Sequence, residues 1–336
     1  MRIFVAMPRG HVRDSYMDEA TINRFKALGA KFNETDKQLT EAEFMEEMKT
    51  TDVLVTGWGH LDIKAHMVKD TPLKLIVHTG GSVGALTEQP LFDLGIRVLT
   101  GNDYFAESVA EGTLAYCLYA LRKMPQYSVP LSTRAQWGGE DADGGTEGLL
   151  DQTVGIVSLG AISKHVIRMG KAFRLKFKVY STRRDEKLAA EMGFTYADLD
   201  EIFTTCKIVS VHTAASAATR HMINRDLLSL LKPHQILINT SRGMVIDEAA
   251  MAEMLQQKRF RAVLDVFSQE PLPAGHPLIG LENAMLFPHC GGPTIDRRVH
   301  ITNGLIDNVI SFANGEAGLL PNEVTKEVAA RMTVNL

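Results

Sequence analysis

Cysteine is scarce in this 336-residue chain, which has three, at positions 117, 206 and 290. They are far apart, odd in number and without metal-ligand spacing. That excludes a disulfide framework and a zinc site, and suits a reducing compartment. No hydrophobic run approaches the ~18 residues of a membrane span. The apolar run in "MRIFVAMPRG" is too short for a signal-peptide core and reads as a first strand. A basic excess is missing too: 36 Lys and Arg stand against 40 Asp and Glu, a net charge of −4. A general nucleic-acid or anionic-membrane binder needs a basic surface. The expectation is a cytoplasmic chain with no nucleic-acid partner, no membrane and no metal. Short-period repeats and low-complexity tracts are absent as well.

What is present is ordinary globular material, 45% hydrophobic and 23% charged. The length suits about two domains. Short β-rich runs alternate with helical patterns. "RIFVAM", "DVLVTG", "KLIVHTG" and "RVLTGN" fall in the first hundred residues, followed by a long helix, "AESVAEGTLAYCLYALRKM". After a Gly- and Asp-rich loop, "WGGEDADGGTEGLL", the alternation restarts with "TVGIVSL", "LKFKVYS", "CKIVSVH", "QILINTS", "FRAVLDVF" and "NAMLFPH". Alternation of this kind builds parallel, doubly wound sheets from βαβ units. From Pro293 the chain reads as a helix and a short tail.

A dinucleotide fingerprint, G-x-G-x-x-G, lacks two glycines in "VGIVSLGAIS". Ser158 and Ser163 stand at the first and third positions and Gly160 at the second. The second glycine is the one that lets backbone approach a pyrophosphate. A strand precedes this turn and a helix follows it, and a helix N-terminus favours phosphate. Taken alone, the turn fits an ordinary strand–turn–helix equally well.

A carboxylate is missing as well. About 20 residues beyond the turn, an Asp or Glu that binds the ribose hydroxyls of NAD is expected. This chain has Ser181, Thr182, Arg183 and Arg184. Hydroxyl and guanidinium donors welcome a 2′-phosphate, which favours NADP, with NAD as the other option. Asp185 and Glu186 follow at once, so a solvated charge run is the competing reading.

Three strand ends downstream are polar. Arg242 ends "INTSRG", Asp265 and Glu270 lie in "LDVFSQEPLP", and His289 ends "LFPH". Open α/β sheets bind ligands at such ends. Together they describe a carbonyl–alcohol redox site. Arg242 holds a 2-keto carboxylate and polarises its carbonyl. His289 exchanges the proton at the substrate oxygen, and Glu270 pairs with its imidazole and raises its pKa. Asp265 suits orienting the nicotinamide or the site better than proton transfer.

Arg242 in "INTSRGMVIDEAAM", Glu270 in "LDVFSQEPLPAGHPL" and His289 in "PHCGGPT" resemble the D-isomer-specific 2-hydroxyacid dehydrogenases. So do "ESVAEGTLAYCLYALRKM" and "SVHTAASAATRHMINRDLLSLLKP". The resemblance covers nearly the whole chain, most strongly from about Ala106 to Thr294. It implies two α/β domains, Rossmann-like and flavodoxin-like, with the active site in the cleft between them. A substrate domain, 1–103 plus 296–336, is interrupted by a cofactor domain, 104–295. A homodimer is implied too, with the helix near Val109 at its interface. The implied activity is hydride transfer between NAD(P)H and a 2-keto acid or D-2-hydroxy acid, within glyoxylate and hydroxypyruvate reductase-like members. Gly80, Gly81 and Ser82 in "HTGGSVGAL" match the substrate-carboxylate turn, although Gly84 and Ala85 stand where the family commonly has Asp. Implied cofactor contacts are Ala161 and Ile162 at the turn, Ser181 at the ribose, and His212 and Thr213 after the next strand. Thr240, Ser241, Asp265, Gly291 and Gly292 would lie around the nicotinamide. Ala214 replaces a frequent Pro.

Trp58 in "TGWGH" is a candidate wall for the substrate pocket, against local loop packing. His60 and His78 read as satisfied polar residues, the methionines as core filler, and Cys290 has no task in keto-acid reduction. A rival class on the same scaffold is a cofactor-sensing, corepressor-like protein without turnover, against which the Arg, Glu, His set argues. Formate dehydrogenase is a weaker rival, because that branch has Gln where this chain has Glu270.

Overall fold

The computed structural model describes residues 1–84, 86, 88–137, 145–316 and 318–330. Ala85, half of the Gly- and Asp-rich loop and the last six residues of the expected substrate domain therefore lie outside the described residues. The chain divides into two compact units, Met1–Ser108 with Pro293–Leu336, and Val109–Gly292.

In the first unit the strands are β1 (Ile3–Val5), β2 (Lys31–Phe32), β3 (Val53–Thr56), β4 (Leu75–His78) and β5 (Arg97–Thr100). Among the described residues they form a parallel sheet in the order β2-β1-β3-β4-β5. The strand Glu323–Val324 adds to β5 antiparallel. This is the flavodoxin-like winding. β1, β3 and β4 are buried along their whole length, which is why they read as continuous apolar runs rather than alternating ones. Helix Glu41–Met48 begins in a capping box between Thr40 and Glu43 and buries Phe44 and Met48. Helix Ile295–Ala313 covers the other face with Ile301, Leu305, Ile306 and Val309.

In the second unit β6 (Thr153–Val157), β7 (Lys176–Tyr180), β8 (Thr195–Tyr196), β9 (Ile208–Val211), β10 (Ile236–Asn239), β11 (Arg261–Leu264) and β12 (Ala284–Leu286) are all parallel. Their order is β8-β7-β6-β9-β10-β11-β12. The winding reverses between β6 and β9, and ligands of such sheets bind outside the carboxyl ends at that reversal. Helix Ala161–Gly170 buries Ser163, Val166, Ile167 and Gly170, one stripe at i, i+3, i+4 and i+7. A Cβ on Gly155 would come within 2.3 Å of Ile202 Cγ2, and one on Gly170 within 2.6 Å of Phe177 Cζ. Both glycines let helices lie close on the sheet.

Each strand expected from the sequence forms. Three two-residue strands (β2, β8 and Glu323–Val324) were not expected, because so few residues carry no periodicity. The long helix ends at Leu121, and a second one runs from Met124 to Arg134. The break falls at Lys123, whose φ of 48° leaves helical space just before Pro125.

Candidate active site

The second unit brings together the three residues expected to do chemistry. Glu270 Oε2 lies 2.7 Å from His289 Nδ1, with side chains about a third and a half exposed. Its other oxygen accepts from Phe267 N–H at 2.9 Å, which fixes the carboxylate. Arg242 follows β10. Burial pushes its pKa down, and the nearby Glu270 carboxylate opposes that shift. One guanidinium nitrogen donates to the Ser241 carbonyl at 2.6 Å. An apolar hollow of about 510 Å³, walled by Phe267, Leu272, Leu286 and Phe287, flanks the Glu270–His289 pair.

His289 has a φ of 52°, a left-handed conformation uncommon outside glycine. Asp265 explains how the turn is held. It is 2% exposed and accepts from Cys290 N–H, Gly291 N–H and the Tyr116 hydroxyl, each at 2.9 Å. Three protein donors occupy this carboxylate, so its visible task is to anchor the turn carrying His289. A Cβ on Gly291 would lie 2.8 Å from Asp265 Oδ2, so glycine there serves the anchor. Gly292 has nothing within 4 Å of that position.

The fingerprint turn keeps its shape without its outer glycines. Ser158 takes a φ of 82°, the conformation the first glycine would adopt freely. The buried Ser163 hydroxyl bonds back to the Ser158 carbonyl at 2.5 Å. Gly160 caps helix Ala161–Gly170, and a Cβ on it would meet no protein atom within 4 Å. The N–H groups of Ala161 and Ile162 donate to no acceptor among the described residues. Free N–H groups beside an unobstructed backbone at a helix start suit a pyrophosphate, so these residues fit a dinucleotide.

At the end of β7 the two arginines separate. Arg184 pairs with Asp198 at 2.7 Å and lies over the Tyr196 ring. The Arg183 side chain makes no hydrogen bond or ion pair among the described residues, and Ser181 Oγ accepts from its backbone N–H at 3.3 Å. Thr182 is exposed. At the end of β9, Thr213 bonds to the Val157 carbonyl. His212 Nε2 lies 2.9 Å from Ser210 Oγ, and its buried Nδ1 has no partner among the described residues. Burial pushes His212 down to about 3. Thr240 is buried 3.4 Å from the Thr113 hydroxyl, and Ser241 bonds to Asn239.

In the first unit Gly80, Gly81 and Ser82 follow β4. The Thr100 hydroxyl holds the carbonyls of Gly80 and Gly81, and Gly101 N–H bonds to the Gly80 carbonyl at 2.9 Å. The N–H groups of Gly80 and Gly81 donate to no acceptor among the described residues. The turn is thus pinned by its carbonyls with two donors to spare, an arrangement that suits an anion. A Cβ on Gly80 would lie 2.3 Å from His78 Nε2. His78 is buried against Thr56, at 3.0 Å, and burial lowers its pKa to about 4. Trp58 is 43% exposed. Its ring meets Tyr16 and Phe105 edge-on, and Arg298 lies over it at 5.3 Å. Phe105 also touches the Cβ position of Gly81, so Trp58 stands braced beside the turn.

Tyr116 and Asn239 were missed by the sequence reading. Asn239 Nδ2 bonds to the Arg242 carbonyl and Oδ1 accepts from Ser241 N–H, shaping the turn that presents Arg242. An Asn at a strand end is an Asx-turn signal that could have found it. Nothing local marks Tyr116, 149 residues from Asp265. Among the described residues, no group of three His, Cys, Asp or Glu could hold a metal ion, and no helix is long and apolar enough to cross a membrane.

Residues 114–291 match the family model for the D-isomer specific 2-hydroxyacid dehydrogenase NAD binding domain. The glyoxylate reductase of Aeropyrum pernix is 33% identical over 245 residues, 70% of this chain and 71% of that one. The D-3-phosphoglycerate dehydrogenase of Methanocaldococcus jannaschii is 33% identical over 258 residues. That match takes in 76% of this chain but about half, 48%, of the relative. The D-lactate dehydrogenase of Lactobacillus jensenii, solved with NAD+, superposes with a TM-score of 0.77 at 22% identity, over 95% of this chain and 99% of that one. With the fold, the turn and the polar strand ends already in place, these likenesses mean that the chain belongs to the D-isomer specific 2-hydroxyacid dehydrogenase family.

Proposed function

We propose that this chain reduces a small 2-keto acid to its D-2-hydroxy acid, and catalyses the reverse, with NADPH preferred over NADH. The observation that carries the reading is the 2.7 Å contact between Glu270 and His289 Nδ1, with Arg242 within the field of the same carboxylate. An ionised carboxylate only accepts, so the Nδ1 proton stays with the imidazole and Nε2 is left to exchange the substrate proton. Arg242 polarises the carbonyl, and its guanidinium meets the negative charge that develops on the oxygen. Bound NADPH supplies the hydride. In reduction His289 gives its Nε2 proton to the carbonyl oxygen, and Glu270 holds the ring in place throughout.

The unit Val109–Gly292 is the cofactor domain in this reading. Gly160, Ala161 and Ile162 hold the pyrophosphate. Ser181, Thr182 and Arg183 take the 2′-phosphate; Arg184, already paired with Asp198, contributes less. By the family resemblance Gly80, Gly81 and Ser82 are the substrate-carboxylate turn, and Trp58, braced beside it, is a candidate wall. The resemblance implies a homodimer, and three scattered cysteines suit a reducing, cytoplasmic compartment.

The test is a panel of glyoxylate, hydroxypyruvate, pyruvate and bulkier keto acids with both cofactors. His289→Ala is expected to lower turnover by at least about 100-fold. Tight NADPH binding without turnover of any keto acid would refute the reading and favour a sensor. Arg183→Ala should erase the NADPH preference and Arg184→Ala should leave most of it; the reverse order would overturn the assignment of Arg183.

A further inference from the structure

Behind the Glu270–His289 pair lies a second carboxylate–imidazole pair that the reaction does not use. Glu248 stands at the start of helix Glu248–Gln256. Its Oε1 is 3.3 Å from His276 Nε2, and both side chains are more deeply buried than Glu270 and His289, at 14% and 18% exposed. Its other oxygen accepts from Ser268 N–H at 2.9 Å. Leu278 N–H points at His276 Nδ1 at 3.4 Å, which leaves Nε2 facing the Glu248 carboxylate at ion-pair distance.

The peptide that Glu248 grips is Phe267–Ser268; the residue after Arg242 packs on it, and Glu270 is held by the peptide just before it. Phe267 N–H holds Glu270 Oε1. From the other side, Gly243, the residue after Arg242, packs so tightly that a Cβ there would fall 1.9 Å from the Phe267 carbonyl carbon and 2.2 Å from Ser268 N. Two consecutive peptides that meet at Phe267 thus join the turn of Arg242 to the carboxylate that holds His289.

We propose that Glu248, which stands beside His276, is a positioning residue for the acid–base pair. It fixes the Phe267–Ser268 peptide, and through it the geometry of Glu270 against His289, without touching substrate or cofactor. The inference rests on the reading of Glu270 and His289 as the proton-transfer pair. A misplacement of this kind acts on the chemical step, where errors of about 1 Å cost up to 100-fold.

The test compares Glu248→Ala and Glu248→Gln with the parent by single-turnover hydride transfer, keto-acid KM, NADPH Kd, and NMR of the His289 Nδ1 proton. Glutamine keeps an oxygen for Ser268 N–H. The expected result is a transfer rate down roughly tenfold or more in the alanine variant, with KM and Kd within about twofold. Its Nδ1 proton signal should be broadened by exchange, and the glutamine variant should recover most of the rate and the signal. An unchanged rate and signal in the alanine variant would overturn the proposal. So would equal losses in rate, KM, Kd and melting temperature, which mark a merely structural role. If the parent turns over no keto acid, the functional reading fails separately, and the Nδ1 signal still reports whether Glu248 fixes the pair.

Discussion

Replacing Gly160 by alanine separates what the fold needs from what a ligand needs. The backbone at Gly160 has φ −121° and ψ −164°, extended space open to any residue, and a Cβ there meets no protein atom within 4 Å. Gly→Ala at a compatible site stabilises by ~0.4–1 kcal/mol through the unfolded chain. Alanine is the poorer N-cap by roughly 0.5–1 kcal/mol, so the two effects nearly cancel. Stability should stay within about 0.5 kcal/mol of the parent. A pyrophosphate resting on the bare Gly160 backbone would instead meet the new methyl at contact distance. Overpacking by one such group costs about 1–3 kcal/mol, so NADPH Kd should rise roughly 5- to 150-fold.

Gly155→Ala supplies the control. Its Cβ would fall 2.3 Å from Ile202 Cγ2 and 3.1 Å from Cys206 Sγ, inside the sheet–helix core. The same ~1–3 kcal/mol should then appear as lost stability, a drop of ~2–4 °C in melting temperature per kcal/mol. Thermal melts and fluorescence titration with NADPH measure both quantities on both variants. The reasoning fails if Gly160→Ala binds NADPH like the parent, or if its melting temperature falls as far as that of Gly155→Ala.

Other expectations follow from the same geometry. Ser158→Gly should stabilise by about 1 kcal/mol in denaturant titrations, because φ 82° strains serine and not glycine. Tyr116→Phe keeps the stack on Phe287 but removes one of the three donors to buried Asp265, and should cost about 1–3 kcal/mol in the same assay. Acid should weaken the fold through His78, whose pKa falls from 6.5 to about 4 by burial. A histidine kept neutral in the folded state leaves stability intact above pH 6.5. Below it the unfolded chain binds the proton first, so stability drains away between pH 6.5 and about 4. The drop amounts to about 3 kcal/mol, and His78→Gln should flatten this part of the stability–pH curve.

Much of this architecture is legible in the chain because strands buried on both faces write themselves as unbroken apolar runs. The polar residues that interrupt such runs at their ends then stand out. Arg242, Asp265 and His289 are visible for that reason, and the helical stripe after Gly160 marks the turn even with serine in two glycine positions. Partnership is what the line of letters hides. Arg183 and Arg184 are neighbours of the same type, and only Asp198 and Tyr196, brought alongside by β8, distinguish the engaged arginine from the available one. Glu248 looks like any first-turn acid favoured by a helix dipole, and its hold on Ser268 depends on a chain reversal 20 residues on.

The two carboxylates near His289 show what decides a role. Asp265 and Glu270 are five positions apart and equally acidic in sequence; the sequence reading pairs Glu270 with the imidazole, and the structure supplies the physical reason. Burial and donors settle the difference. Asp265 is nearly sealed, and three donors already satisfy it. A carboxylate so saturated has little capacity left to respond to a proton moving nearby, but it fixes a left-handed turn well. Glu270 accepts one backbone N–H, keeps its second oxygen for His289 and remains about a third exposed. Its charge is available where the imidazolium charge appears when His289 takes up a proton. The deeper carboxylate holds the histidine's backbone and the shallower one its ring. Asp265→Asn should therefore disturb where His289 sits, and Glu270→Gln only how its ring is held. In crystal structures of the two variants, the asparagine should displace the His289–Gly291 turn and the glutamine should leave it in place. A turn unmoved by Asp265→Asn would refute this division of labour.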